Sequence, residues 1–185
     1  MVSSVQSPAD VVNIAMKKAG IKGRIGNLYD GSEPARVVLD FYSQTRDATL
    51  RAFNWGFAER FVSATISGGT PPAIWAYEYN YPSDCLQVRG IYNSVYVADK
   101  NNPLPNLWTI GNNSTQKVIW SSLSAPTICY TGQITDPSQW EPLYVETFTT
   151  EMAKMLAVTI GVKEAIKVLM EEEKDIIPLA EGTLG

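Results

Sequence analysis

The chain has 185 residues, enough for one ordinary domain or one domain carrying a lobe. It is 45% apolar and 10% aromatic but only 18% charged, which excludes disorder and leaves many large rings to bury. The net charge of −4 is uneven, with +2 on residues 1–61, −1 on 62–140 and −5 on 141–185, and no Lys/Arg cluster of the kind that grips phosphate backbones.

The chain reads helix, strands, helix. Ser7 is an N-cap, Pro8 suits the first helical position, and Val12, Ala15, Met16 and Ala19 recur at helical spacing before Gly20. A Gly-rich linker, Ile21 to Gly31, follows. Ser32 caps a second helix that runs to Asn54, with Val37, Val38, Phe41, Thr45, Ala48, Ala52 and Phe53 on one face. Arg46, Asp47 and Arg51 lie away from that stripe, and the segment to Arg60 reads as a further helical turn. Composition changes at Ser67–Gly68–Gly69–Thr70–Pro71–Pro72. From there to Trp140 the pattern is strands and loops. Trp75, Tyr77, Tyr79 and Tyr81 alternate strictly up to Pro82. Leu86 to Val97 is β-rich with a break near Asn93–Ser94. Leu107–Ile110 and Lys117–Trp120 flank the turn Gly111–Ser114 as a hairpin, and Thr127–Thr131 is a last strand. Helix returns after Asp136–Pro137 with Leu143, Phe148, Met152, Met155, Leu156 and Ile160. Gly161 breaks it, and a fourth helix spans Val162 to Ile177. The pattern predicts an α+β fold. Helices from both chain ends (1–67 and 136–178) form one bundle, a small antiparallel β lobe (68–135) is inserted as a sheet or sandwich, and 179–185 form a flexible tail.

Candidate chemistry is sparse. The sequence has no histidine, which removes Ser-His and Cys-His nucleophile pairs and His-ligated metals. Two cysteines, Cys85 and Cys129, are too few for a zinc site or a disulfide framework and read as small buried residues. There is no phosphate-binding loop, and the glycines at 20, 23 and 26 read as turn geometry. Only an acid/base hydrolase built on carboxylates survives these exclusions, with Glu78 and Asp84 as its pair, and strand and turn polarity is the commoner reason for such residues. The tyrosine ladder has two readings, a stacking platform for sugars or bases and the inner face of a sheet. No catalytic, cofactor or metal residue is assigned. The most apolar window, Ala153 to Val162, carries Lys154 and is far short of the roughly 20 residues of a membrane span. Met1 to Val12 has neither the basic start nor the apolar core of a secretory leader.

Three ordered segments carry a resemblance. They are Tyr42, Arg46–Asp47, Leu50–Arg51–Ala52, Trp55 and Phe57–Ala58; then Pro71–Pro72, Trp75–Ala76–Tyr77–Glu78–Tyr79 and Tyr81–Pro82–Ser83–Asp84–Cys85–Leu86; then Trp140–Glu141–Pro142–Leu143 with Phe148 and the helix Met152–Ala157. In order and spacing this set resembles the phage head-to-tail adaptors, also called tail tubular protein A or gatekeeper proteins. The resemblance implies a structural virion protein without catalysis. It implies a ring, of twelve copies in that family, that joins the portal protein to the tail nozzle protein and lines the genome channel. Double-stranded DNA would pass without specific binding, with no membrane involved. Assembly would take place in the host cytoplasm, where Cys85 and Cys129 are expected to stay free thiols. The free chain is expected to be largely monomeric and to close a ring only on the portal.

Trp55, Phe57, Pro82, Asp84 and Trp140 are the expected structural joint between helices and sheet, with Asp84 bonding nearby backbone amides. Arg46, Asp47, Arg51, Glu171, Glu172 and Glu173 are candidate interface residues, Arg46 and Asp47 pointing apart to separate partners. The fourth helix and the acidic tail match no pattern of the family. The alternative to an adaptor is a β-lobed carbohydrate-binding module of a phage tail that uses the tyrosine ladder.

Overall fold

Three helices and two small antiparallel sheets make up the computed structural model, which describes residues 7–93 and 107–160 together with Met170, Glu171 and Lys174. The fold is α+β. It divides into two compact units, one of residues 1–58 and 134–185 and the other Glu59–Gln133.

In the first unit, α1 spans Pro8–Lys18. Ser7 and Asp10 form a reciprocal capping box, which satisfies two amides that the helix start leaves open. At the other end the Gly20 amide bonds Lys17 O and the Ile21 amide bonds Met16 O. This closure needs a left-handed residue, and Gly20 supplies it with φ +75°. The Gly-rich linker that follows is tied down. The Asn13 side chain donates to Ile25 O and accepts from Ile25 N, at 3.0 and 2.9 Å. Ile25 and Leu28 are buried. Asp30 then accepts from the Gly26 and Ser32 amides and sets up the Ser32 cap of α2, Glu33–Ala52.

After α2, a single 3-10 turn covers Gly56–Ala58. A second one, Pro137–Gln139, is capped by Asp136 and leads into α3, Pro142–Ile160. Both α1 and α2 pack on α3. Lys18 clips α1 to α3 by pairing with Glu146 and donating to Thr150 Oγ1. Val11, Val12, Met16, Val38, Met152 and Leu156 are buried in this unit, each worth about 1.5–3 kcal/mol against exposure.

The second unit holds β1 (Glu59–Ser63), β2 (Tyr77–Asn80), β3 (Cys85–Tyr92), β4 (Trp108–Asn112), β5 (Lys117–Ser121) and β6 (Thr127–Gly132). They form two three-stranded antiparallel sheets, ordered β1-β6-β3 and β2-β5-β4. Tyr79 and Ile119 from one sheet join Val88, Ile91, Ile128 and Tyr130 from the other in a shared core. The segment after β1 crosses between the sheets. The Ala64 amide bonds Pro126 O on one side, while Asn80 N bonds Thr65 O and Ser67 N bonds Glu78 O on the other.

Two readings are corrected here. The further helical turn expected up to Arg60 is present as Gly56–Ala58 but stops there, because Glu59–Ser63 is a strand, and the β unit starts at Glu59 and ends at Gln133, where composition places its edges at 68 and 135. The alternation Glu–Arg–Phe–Val–Ser gives no amphipathic signal because every residue of β1 is exposed. The break expected at Asn93–Ser94 follows the end of β3 at Tyr92. Of the expected fourth helix, Met170, Glu171 and Lys174 are helical, and its remaining residues and the tail 179–185 lie outside the described residues.

Candidate interaction surface

Trp55, Phe57 and Trp140 share one aromatic cluster built around Tyr144. Tyr144 meets Trp55, Phe57 and Trp140 at centroid distances of 5.3, 5.1 and 4.8 Å and lies parallel to Phe148. Each polar edge is satisfied. Trp55 Nε1 donates to Thr49 O, Trp140 Nε1 to Ile134 O, and the Tyr144 hydroxyl to Arg46 O. Three of the five expected joint residues therefore pack within the helical unit. The other two, Pro82 and Asp84, lie in the β unit, where the Cys85 amide bonds Pro82 O to close the turn. Asp84 does not serve the turn's amides as expected. Its carboxylate accepts from the Tyr130 hydroxyl at 2.9 Å and faces Arg60 Nε at 3.5 Å. Burial, then the Asp84 bond, push the Tyr130 hydroxyl up to about 12.

The face of α2 turned to the core differs from the predicted stripe. Val38, Tyr42, Thr45, Arg46, Thr49 and Leu50 are buried, whereas Ala48 and Ala52 are exposed. Arg46 thus lies inside, and its Nε donates to Asp47 Oδ1 at 2.8 Å. The two neighbours pair with each other, contrary to the expectation that they point apart. Arg51 is exposed, as is Glu171, while Glu172 and Glu173 lie outside the described residues.

Val38 and Thr45 of the stripe stay buried, while Ala48 and Ala52 turn outward along a groove of about 520 Å³ between α2 and α3. Phe41, Ala48, Ala52 and Phe53 form one wall, and Met155, 45% exposed, belongs to the other. Three of the four threonine hydroxyls in the lining are engaged. Thr49 donates to Thr45 O and Thr147 to Leu143 O, each one helical turn back, and Thr150 accepts from Lys18. Glu151, the one carboxylate among the described lining residues, accepts from Lys154 Nζ at 2.8 Å. Among the described residues the groove offers apolar contact area and no convergent set of reacting groups.

Glu78, expected as strand-surface polarity or half of an acid/base pair, is 2% exposed. Its carboxylate accepts from Ser67 Oγ, Asn113 Nδ2 and Trp120 Nε1. The Ser67 bond first, then the Trp120 bond, hold it below the ordinary carboxylate range. A general acid needs the opposite shift. Asp84 shares none of these partners, so the two carboxylates serve separate networks. A Cβ at Gly69 would collide with Glu78 Oε1, and Glu78, held by three donors, has little room to give. Gly69→Ala is expected to cost about 1–3 kcal/mol, read as a drop in the urea midpoint of unfolding.

The tyrosine ladder faces inward. Tyr79 is in the β core and bonds Leu123 O, and Tyr77 and Tyr81 are half-buried against the same cluster. Lys117 lies over the Tyr81 ring at 4.0 Å. Trp75, also half-buried, precedes β2. Cys85 and Cys129 carry free thiols. Burial, then Glu59, push Cys129 up to about 11, so it is protonated at neutral pH and unlike an activated nucleophile. Among the described residues, no cluster of metal-ligating side chains occurs and no helix is long and apolar enough to cross a membrane. No protein-family model matches the chain, and no curated protein matches it.

Proposed function

We propose that the chain is a structural assembly component, a head-to-tail adaptor whose copies form a ring between a portal and a tail nozzle. The α2/α3 groove carries this reading. Part of an apolar stripe legible in the sequence lines this groove and is left uncovered by the described helices of its unit, and a concave apolar surface without reacting groups suits contact with a partner. A ring of identical copies needs a heterologous contact, in which one patch meets a different patch on the next copy. In this reading the helices of both chain ends act as one bundle, the β unit is an insertion, and the assembled protein sits in the virion neck. A lumen that lets double-stranded DNA slide favours a mildly acidic chain, because dense Lys and Arg would hold phosphates by counterion release. The carbohydrate-binding reading loses ground because Tyr79 is spent in the core.

The test is co-sedimentation with the portal protein of the same phage. Ala48→Glu places a charge on an exposed position of the groove wall. It is expected to leave thermal unfolding within about 0.5 kcal/mol and to abolish ring formation on the portal. Rings that form unchanged would remove the groove from the contact.

A further inference from the structure

Edge strands expose unpaired amides and carbonyls, and proteins blunt them with bulges, covering segments or charges. In the β unit, β3 carries two register shifts, and β2 is covered by the Ile66 bridge to Tyr79 and by bonds from residues 65–67. Among the described residues, the strand β1 has neither device. Its register against β6 is unbroken from Glu59↔Thr131 to Ser63↔Thr127, and all five residues are exposed. Its two charges are drawn onto partners in the same unit. Glu59 takes Arg89 Nη1 at 3.1 Å, and Arg60 faces Asp84. That leaves Phe61, 62% exposed, and Val62, 40% exposed, on opposite faces of an open edge.

We propose that β1 pairs antiparallel with β1 of a second copy, about a twofold axis centred on Phe61. The strand is self-complementary in this register. Glu59 faces Ser63 of the second copy, Arg60 faces Val62, and Phe61 faces Phe61, so no like charges oppose and an aromatic pair forms at the centre. A register centred on Arg60 would oppose two guanidinium groups. One centred on Val62 would recruit Ala64 and Thr65, whose amide and carbonyl already bond Pro126 and Asn80. The product is a continuous sheet ordered β3-β6-β1-β1-β6-β3. A twofold contact cannot propagate a polar ring, so this pair is a form of the free chain, in place of the monomer that the adaptor resemblance implies.

Sedimentation equilibrium of the purified full chain across the micromolar range is expected to give twice the monomer mass. Phe61→Lys, at an exposed position, is expected to weaken association roughly tenfold or more, the mutation counting twice in each pair, with the far-UV circular dichroism unchanged. Register is read separately. Cys129 lies opposite residue 61 within the same chain and is replaced by Ser in each cross-linking variant. The nearest thiol to Phe61→Cys is then that of the second copy, at the roughly 4.5–5.5 Å Cα spacing that a disulfide spans, and mild oxidation is expected to give a covalent dimer. Ser63→Cys, opposite Glu59, and the wild type are expected not to cross-link. A wild-type monomer throughout, a dimer indifferent to Phe61→Lys, or equal cross-linking through Ser63→Cys would overturn the proposal. None of these outcomes bears on portal-templated rings.

Discussion

Trp55→Ala is expected to lower the stability of the chain by about 3–5 kcal/mol, the range for emptying a buried tryptophan site. The indole is fully buried and meets Phe53 and Tyr144 edge-on at 5.4 and 5.3 Å. Its N–H holds Thr49 O at the end of α2. Removal therefore costs burial, ring contacts and the bond that fixes how the chain leaves that helix. Domains of this size hold only about 5–15 kcal/mol in total, so the variant should be close to unfolding at 37 °C. Tyr144→Phe is the control. It keeps the ring stack and removes only the bond to Arg46 O, for about 1 kcal/mol. Urea titration followed by tryptophan fluorescence and by circular dichroism reads both. Equal, small losses for the two variants would show that the cluster is not the centre of the helical unit.

Glu78→Gln is expected to cost about 2–3 kcal/mol at neutral pH. The change is nearly isosteric, but the new amide turns a donor toward a site already occupied by the donors of Ser67, Asn113 and Trp120. The pH dependence carries a sign. Folding lowers this group's pKa below its ordinary 4.5, so its contribution is fully present above pH 4.5 and is lost as pH falls through the depressed value. The gap between wild type and variant should therefore be widest near neutrality and shrink on acidification. Urea midpoints at a series of pH values from neutral to acid measure this. A gap that stays constant into acid would mean that the ionised carboxylate contributes nothing specific.

Much of the helical unit was legible because its signals are local. Ser7, Pro8, Asp10 and Gly20 mark the ends of α1 by chemistry that acts within four residues. The hairpin β4–β5 was legible for the same reason, its turn being signalled by Gly111–Asn112–Asn113–Ser114. Arg46 was not. A charged residue is assigned outward by default, and only the Asp47 carboxylate beside it and the Tyr144 hydroxyl on its carbonyl show how the position is accommodated inside. With Arg46 drawn in, the helix presents Ala48 and Ala52 outward, so that part of a stripe that reads as core lines the groove while Val38 and Thr45 stay buried. The strand β1 was illegible because exposure on both faces erases the period-two pattern. Glu78 gave no cue in sequence, since its three donors come from positions 67, 113 and 120, which only the sheet topology brings together.

The pairing of Glu59 with Thr131 also fixes where the β unit is attached. Its first residue and its last strand lie side by side, about 5 Å apart, so the polypeptide enters and leaves through a single narrow stem. To the helical unit, the whole of Glu59–Gln133 is topologically a hairpin loop, and its closure entropy rises only with the logarithm of its length. Such a stem makes the β unit an exchangeable module. Related chains could lengthen it, shorten it or substitute another fold without altering the ends that α2 and α3 must join. Partner choice and helical packing would then be free to evolve at different rates within one gene.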